Sequence, residues 1–299
     1  MEKCTFAVIF GNRGFFSESL ISGARKEIGE VLKKSGYAAI MMNPPETRFG
    51  AIETPEDGEK FAKFLVKNRG KYDGVIICLP NFGDETGAVA AVRDCGTPIL
   101  VQAYPDEFGK LDMSKRRDAF CGKFSVMDVL YQYGISFSAL MPHTVHPSSG
   151  DFRENLRVFA GICRVVNGMR RFTVGAVGAR TTAFKTVRFD ELALQKYGIT
   201  TETLDLSEVI LRVRSMKSSD SAVKAKAAMF RDYTSWKGTP GKSFENIVKL
   251  AVVLDEIVDE YKMDALAVRC WLELEKELKI SPCVILSEMN IAAYRPHAN

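Results

Sequence analysis

The sequence predicts an α/β protein built on two open, mainly parallel sheets. Short apolar runs alternate with amphipathic helical segments, which is the pattern of βαβ units around a parallel sheet. The chain has 299 residues, 46% of them hydrophobic, and so exceeds the usual size of one hydrophobic core but fits two α/β domains. The pattern lapses once, in the Pro- and Ser-containing stretch 142–150, and then restarts.

The domain boundary is therefore placed at residue 150. We expect an N-terminal Rossmann-like domain over residues 1–150 and a second Rossmann-like domain over residues 151–299. The second half is expected to begin with a helix over residues 152–169.

Each half is assigned its elements from hydrophobic periodicity. The predicted strands of the first half are residues 6–10, 38–42, 74–79 and 98–102, and its predicted helices are residues 17–35, 55–68, 86–94 and 125–133. The second half has predicted strands at residues 172–176, 201–205, 265–269 and 283–286, with further helices at residues 189–197, 207–215, 220–233 and 243–262.

Composition excludes several function classes. Lysine and arginine total 41 against 37 aspartates and glutamates, and this small net charge of +4 predicts no nucleic-acid partner. No apolar stretch approaches the length of a membrane span, so we expect no membrane partner. The first apolar run is too short for a secretory signal, which favours a cytoplasmic protein. The seven cysteines contain no Cys-x-x-Cys pair and are expected to be reduced structural thiols.

Polar residues follow three strands of the first half. Arg13 lies in a glycine-flanked turn after the first strand, Asn81 and Phe82 follow the third, and Gln102 ends the fourth. Ligands of open α/β sheets bind beyond the carboxyl ends of the strands, so we expect these four residues to line one cleft. An ordinary turn with a solvated arginine remains an alternative for Arg13, and Asp84 could simply cap the next helix.

The second half offers weaker signals. Gly175 and Gly178 follow a strand and Asp205 ends the next, as in a dinucleotide site, but the third glycine of that fingerprint is absent. Arg180 and Lys185, in the loop after the strand, are candidate substrate-binding residues.

Three further features carry alternatives. Glu273 follows a buried-looking strand and suits metal ligation or proton transfer, or it caps the next helix. His143 and His146 are read as loop residues rather than metal ligands. The basic segment 212–237 is read as a solvated face, with an acidic partner or a subunit contact as the second possibility.

Together these segments resemble the L-fucose isomerase and L-arabinose isomerase superfamily, most closely its L-fucose isomerase-related branch. The resemblance spans nearly the whole chain. It rests on the turn Gly-Asn-Arg-Gly-Phe-Phe at residues 11–16, the loop Leu-Pro-Asn-Phe-Gly-Asp-Glu at residues 79–85, Phe-Cys-Gly at 120–122, the segment 189–199, Arg-Cys-Trp-Leu-Glu at 269–273 and Pro-Cys at 282–283.

The resemblance implies an aldose–ketose isomerase that acts on a small-molecule sugar through an enediol and assembles as a homo-oligomer. It further implies a divalent metal, typically Mn²⁺, with Glu273 as both metal ligand and acid–base carboxylate. Arg13 and Phe82 match positions that reach the sugar from a neighbouring subunit.

The resemblance departs at the end of the sequence. Relatives continue to a second acidic ligand and a barrel histidine, whereas this sequence ends at Asn299, and His297 does not match the histidine's context. We therefore expect a truncated protein with an incomplete metal site that is weakly active or inactive alone. The alternative function is a non-catalytic sugar-binding or regulatory α/β protein.

Overall fold

The computed structural model describes residues 3–112 and 114–294. The chain forms two compact units, Met1–Gly168 and Met169–Asn299, here called unit 1 and unit 2. His297 lies outside the described residues. None of the described helices combines the length and the apolar content that a membrane crossing requires.

Unit 1 holds a four-stranded parallel sheet in the order β2-β1-β3-β4. Its strands are β1 (Thr5–Phe10), β2 (Ala38–Met41), β3 (Gly74–Leu79) and β4 (Ile99–Ala103), and its helices are α1 (Glu18–Lys34), α2 (Pro55–Lys67), α3 (Glu85–Val92), α4 (Ala119–Gln132) and α5 (Gly150–Met169). Every residue of β3 is buried, as expected for a central strand covered on both faces.

Helix α5 belongs to the core of unit 1. Phe159 of this helix stacks on Phe6 of β1 with 5.4 Å between ring centroids. Cys163 lies so close to Gly74 of β3 that a Cβ there would meet its Sγ at 2.6 Å. The domain boundary predicted at residue 150 thus precedes a helix that packs on the first sheet, whereas the two compact units divide after Gly168.

Unit 2 holds a three-stranded parallel sheet in the order β6-β5-β7. Its strands are β5 (Phe172–Val177), β6 (Ile199–Leu204) and β7 (Ala265–Val268), and its helices are α6 (Glu191–Gln195), α7 (Leu206–Ser215), α8 (Ser221–Tyr233), α9 (Gly241–Tyr261), α10 (Glu273–Glu277) and α11 (Cys283–Tyr294). Two open parallel sheets with helices between their strands confirm the predicted α/β fold class.

Three elements differ from the sequence prediction. The strand predicted at residues 283–286 is wrong, because these residues open helix α11. Its buried residues Ile285 and Glu288 are three positions apart, which is a helical spacing. A run of only four apolar residues is too short to reveal that spacing in the sequence. Helix α4 begins six residues earlier than the predicted residue 125. The helix after Glu273, considered only as an alternative and without bounds, is the short α10, which begins at Glu273 itself and has no side-chain cap.

Candidate functional site

Arg13 and Phe82 meet at the carboxyl edge of the unit 1 sheet. The Arg13 guanidinium lies over the Phe82 ring, 4.7 Å from its centroid. Arg13 Nε donates to the carbonyl oxygen of Gly83 at 2.9 Å, and its Nη2 forms an ion pair with Glu85. The arginine is therefore held in one orientation by three neighbours from the loop after β3, rather than being freely solvated.

A buried amide network fixes the two loops that carry these residues. Asn81 is fully buried, and its Oδ1 accepts from the backbone N–H groups of Arg13, at 3.2 Å, and of Gly83, at 3.1 Å. Its Nδ2 donates to Asn12, which is also fully buried and in turn donates to Glu53. Each amide thus satisfies polar groups that burial would otherwise leave unpaired. The network joins the loop after β1 to the loop after β3.

The Phe82 loop is also held from the side of helix α4. A Cβ at Gly122 would lie 2.0 Å from the carbonyl oxygen of Phe82, so only glycine allows this approach. Gly83 adopts φ +76°, a left-handed conformation that favours glycine. Asp84 accepts from the N–H of Gly87 at 2.7 Å and caps α3, which is the alternative role considered for it from sequence.

Gln102 does not face the same space as Arg13. It is the penultimate residue of β4, near the same edge, but its side chain is buried and its Nε2 donates to the carbonyl oxygen of Val145 at 2.8 Å. Its Oε1 has no hydrogen-bond partner among the described residues. The structure therefore brings Arg13, Asn81 and Phe82 together and gives Gln102 interior contacts, and its predicted contact with substrate stays a prediction.

Lys123 of α4 is a buried cation near Gln102. Both line the same small internal void, and Lys123 Nζ donates to the carbonyl oxygen of His143 at 2.8 Å. Burial lowers the pKa of Lys123 to about 8, because removal from water disfavours the charged form. Sequence reasoning missed this residue, because it lies in a segment that was assigned to a helix only from residue 125 onward.

In unit 2 a cavity of about 400 Å³ opens at the carboxyl edge of the sheet. Arg180 lines it, together with Phe184 and Trp271, whose rings meet edge to face at 5.1 Å. Arg180 Nη1 lies 3.2 to 3.4 Å from three carbonyl oxygens of its own loop, which orders that loop. Lys185 is exposed and does not line the cavity, so its predicted role rests on sequence alone.

Glu273 is the first residue of helix α10. Arg269 Nη2 lies 2.7 Å from Glu273 Oε2, and Arg269 also lines the cavity that contains Arg180. The carboxylate faces a second surface depression, beside Asp205 and Arg214. Arg269 is thus the direct partner of the predicted catalytic residue, and sequence reasoning named it only as part of a motif.

A family model for the fucose/sulfoquinovose isomerase N-terminal domain matches residues 7–170. The match covers more than half of the chain and includes every residue of the network around Asn81. The chain belongs to this family.

No curated protein matches this chain. One solved structure that matches is described as a two-component system response regulator/ggdef domain protein, with 12% identity over 98% of this chain and 100% of that chain. Its TM-score of 0.27 is too low for any structural argument.

The described residues do not fit a divalent metal site in this member of the sugar isomerase family. Residues 3–112 and 114–294 contain no group of three His, Cys, Asp or Glu side chains that could hold an ion. Glu273, the carboxylate that the resemblance implies as a ligand, belongs to no such group and is paired with the Arg269 guanidinium. One carboxylate is a poor site for a hard divalent ion, which needs about six oxygen ligands. No chemical step is therefore derived through a metal.

Proposed function

We propose that this chain binds aldoses and serves aldose–ketose isomerisation. The observation that carries the proposal is the pairing of Arg13 with Phe82 at the sheet edge, in a protein of the fucose/sulfoquinovose isomerase family. Phe82 is partly exposed and offers an aromatic face for the C–H groups of a sugar ring. Arg13 offers guanidinium N–H donors for hydroxyl groups.

The buried network makes this surface preorganised. Asn81 and Asn12 are fixed by their own hydrogen bonds, so a sugar need not order the loops that hold Arg13 and Phe82. A binding surface that is already ordered loses less entropy when the ligand binds. This supports a specific polar ligand over incidental surface contact.

Glu273 is proposed as the carboxylate that moves a proton between C1 and C2 of the sugar. Its partner Arg269, with Nη2 2.7 Å from Glu273 Oε2, fixes the direction of the carboxylate, and a general base needs such a fixed position. Arg180 and Lys185 are proposed to contact substrate, Arg180 from the cavity that Arg269 shares. Gln102 is buried in β4 and bonded to Val145, and its contact with substrate stays a prediction from the sequence.

Manganese and a homo-oligomeric assembly stay predictions from the resemblance. Glu273 belongs to no group of three possible metal ligands among the described residues. We therefore expect the chain by itself to bind sugar but to form little ketose. Oligomeric assembly is proposed on the same resemblance.

Calorimetric titration with L-fucose, D-arabinose and L-arabinose, each with and without MnCl₂, tests the proposal. We expect weak binding of at least one aldose that manganese changes little, because Glu273 belongs to no group of three possible metal ligands among the described residues. Tight aldose binding that does not depend on manganese would instead favour a non-catalytic sugar-binding or regulatory protein. A ketose assay on the same samples is expected to show slow turnover at most. Robust, chelator-sensitive ketose formation would contradict the ligand set proposed here.

A further inference from the structure

A groove of about 480 Å³ lies between helix α8 and the start of helix α9 in unit 2. Its floor is apolar and is formed by Val223, Ala227 and Val248, with the Phe244 ring beside them. Lys224 and Arg231 line it from α8, seven residues apart and so on one face of that helix. The groove therefore combines an apolar floor with a cationic wall.

Some cations of the basic segment 212–237 are neutralised within unit 2. These are Arg212 with Glu208 and Glu260, Arg214 with Glu277, and Lys226 with Asp255 and Glu288. Their carboxylate partners hold them in fixed ion pairs. The charges of these three cations are therefore already balanced within unit 2, and none of the three lines the groove.

The other cations of the segment are different. Lys217, Lys224, Arg231 and Lys237 are exposed and form no ion pair with any residue in the described part of the chain. The Arg231 guanidinium lies over the Phe244 ring at 5.2 Å, which holds it at the groove wall. These cations are available to an anionic ligand.

The one carboxylate in the groove lining is already used. Glu245 forms ion pairs with Lys249 at 2.7 Å and Lys242 at 3.1 Å and accepts from Ser218. Hydrogen bonds from Lys249, Ser218 and Lys242 lower the pKa of Glu245 to about 2, so it stays charged and paired. Gly241 at the start of α9 also lines the groove, and no side chain caps this helix start. Uncapped amides at a helix start add a further preference for an anion.

We propose that this groove binds an acidic peptide segment of a partner protein, anchored by at least one large apolar side chain. The two unpaired cations of the groove wall, Lys224 and Arg231, match acidic side chains of the peptide. The apolar floor of the groove matches its apolar anchor. A nucleic acid fits less well, because the floor of Val223, Ala227 and Val248 is aliphatic and offers no aromatic ring on which a base would stack. The net charge of +4 is also small for a nucleic-acid-binding protein.

Fluorescence anisotropy with two labelled synthetic peptides tests the proposal on the full chain. One peptide alternates glutamate with leucine, and the other has the same charge with serine in place of leucine. We expect the leucine peptide to bind more tightly. We expect the double variant Lys224→Glu with Arg231→Glu to lose about tenfold in affinity, from two lost ion pairs and the added repulsion.

Two further variants separate this site from general charge effects. The control Lys71→Glu with Lys196→Glu changes net charge equally at exposed lysines outside the groove and should leave the affinity unchanged. The milder Lys224→Gln with Arg231→Gln should show a smaller loss and guards against misfolding, which circular dichroism would report. Equal binding of both peptides, an equal loss in the control, or preferential binding of oligouridylate would overturn the proposal. Self-association of the chain that the groove variants abolish, seen by sedimentation, would overturn it as well.

Discussion

The guanidinium of Arg13 lies over the ring of Phe82, with 4.7 Å from its central carbon to the ring centroid. The two residues follow different strands of the unit 1 sheet and are 69 positions apart in sequence. Their contact depends on Asn81, which accepts hydrogen bonds from the backbone on both sides. The buried Asn81 side chain thus fixes the two loops that hold Arg13 and Phe82 in contact.

Replacing Arg13 with lysine is expected to weaken aldose binding by about ten- to a hundredfold, because a charge-assisted hydrogen bond is worth about 1.5 to 3 kcal/mol. Lysine keeps the charge but loses the planar group that lies over Phe82 and bonds to Gly83. Calorimetric titration measures the change. Arg157→Lys, at an exposed ion pair on α5, is the control and should bind sugar like the wild type. Unchanged affinity in Arg13→Lys would remove this residue from the site.

Replacing Asn81 with alanine is expected to destabilise the protein by about 1 to 3 kcal/mol. The change leaves the buried side-chain oxygen Oδ1 of Asn12 and the backbone N–H groups of Arg13 and Gly83 without their partner. Urea unfolding followed by circular dichroism measures the loss. Asn43→Ala, at an exposed asparagine with one long hydrogen bond to Glu46, should change stability by less than about 0.5 kcal/mol. Similar losses in both variants would contradict the network.

Two helical glycines make a matched pair for the Phe82 loop. Gly122→Ala would place a Cβ 2.0 Å from the Phe82 carbonyl oxygen and is expected to displace that loop and weaken sugar binding. Gly161→Ala on α5 meets nothing within 4 Å and should raise stability by up to about 1 kcal/mol. Thermal unfolding and sugar titration of both variants test this. Tolerance of alanine at Gly122 would show that α4 does not hold the loop.

Because Lys123 is buried, the free energy of unfolding should depend on pH in a specific way. Its pKa falls from the usual 10.5 to about 8 on folding, so between these values the unfolded chain binds more protons than the native protein. The penalty for the buried charge is therefore largest below pH 8 and shrinks as pH rises. From pH 7 to pH 9 this residue should add on the order of 1 kcal/mol of stability.

The Lys123→Met variant isolates that contribution. Methionine has a similar length and carries no charge, so the variant should be more stable than the wild type at pH 7, and the gap should narrow at pH 9. Urea midpoints at both pH values measure the gap. A gap that does not change with pH would mean that Lys123 stays fully charged in the folded protein.

Much of the fold was predictable because its signals are local. The apolar spacing of Ile21, Ala24, Ile28 and Leu32 predicts α1, and these four residues are its buried face. The apolar run at residues 283–286 was wrongly assigned to a strand, because so short an apolar run occurs both in strands and in buried helices. Helix α5 could be predicted as a helix, but its packing on the first sheet depends on distant contacts such as Phe159 with Phe6.

The candidate site was predictable only in part, for a similar reason. The strand-end rule placed Arg13, Asn81 and Phe82 at one edge, where the structure brings them into contact. The rule gives no side-chain direction, and so it did not show that Gln102 turns inward to Val145. The pairing of Glu273 with Arg269 depends on where α10 begins, and the sequence offered the helix after Glu273 only as an alternative without bounds.

An aldose is proposed to sit on the Phe82 ring. Saturation-transfer difference NMR with L-fucose, irradiating aromatic protons only, measures this contact directly. We predict transfer to the sugar C–H protons in the wild type, its loss in Phe82→Leu, and its retention in Phe15→Leu, which removes a more exposed ring in the neighbouring loop. Absence of transfer in the wild type, or equal transfer in wild type and Phe82→Leu, would contradict the account.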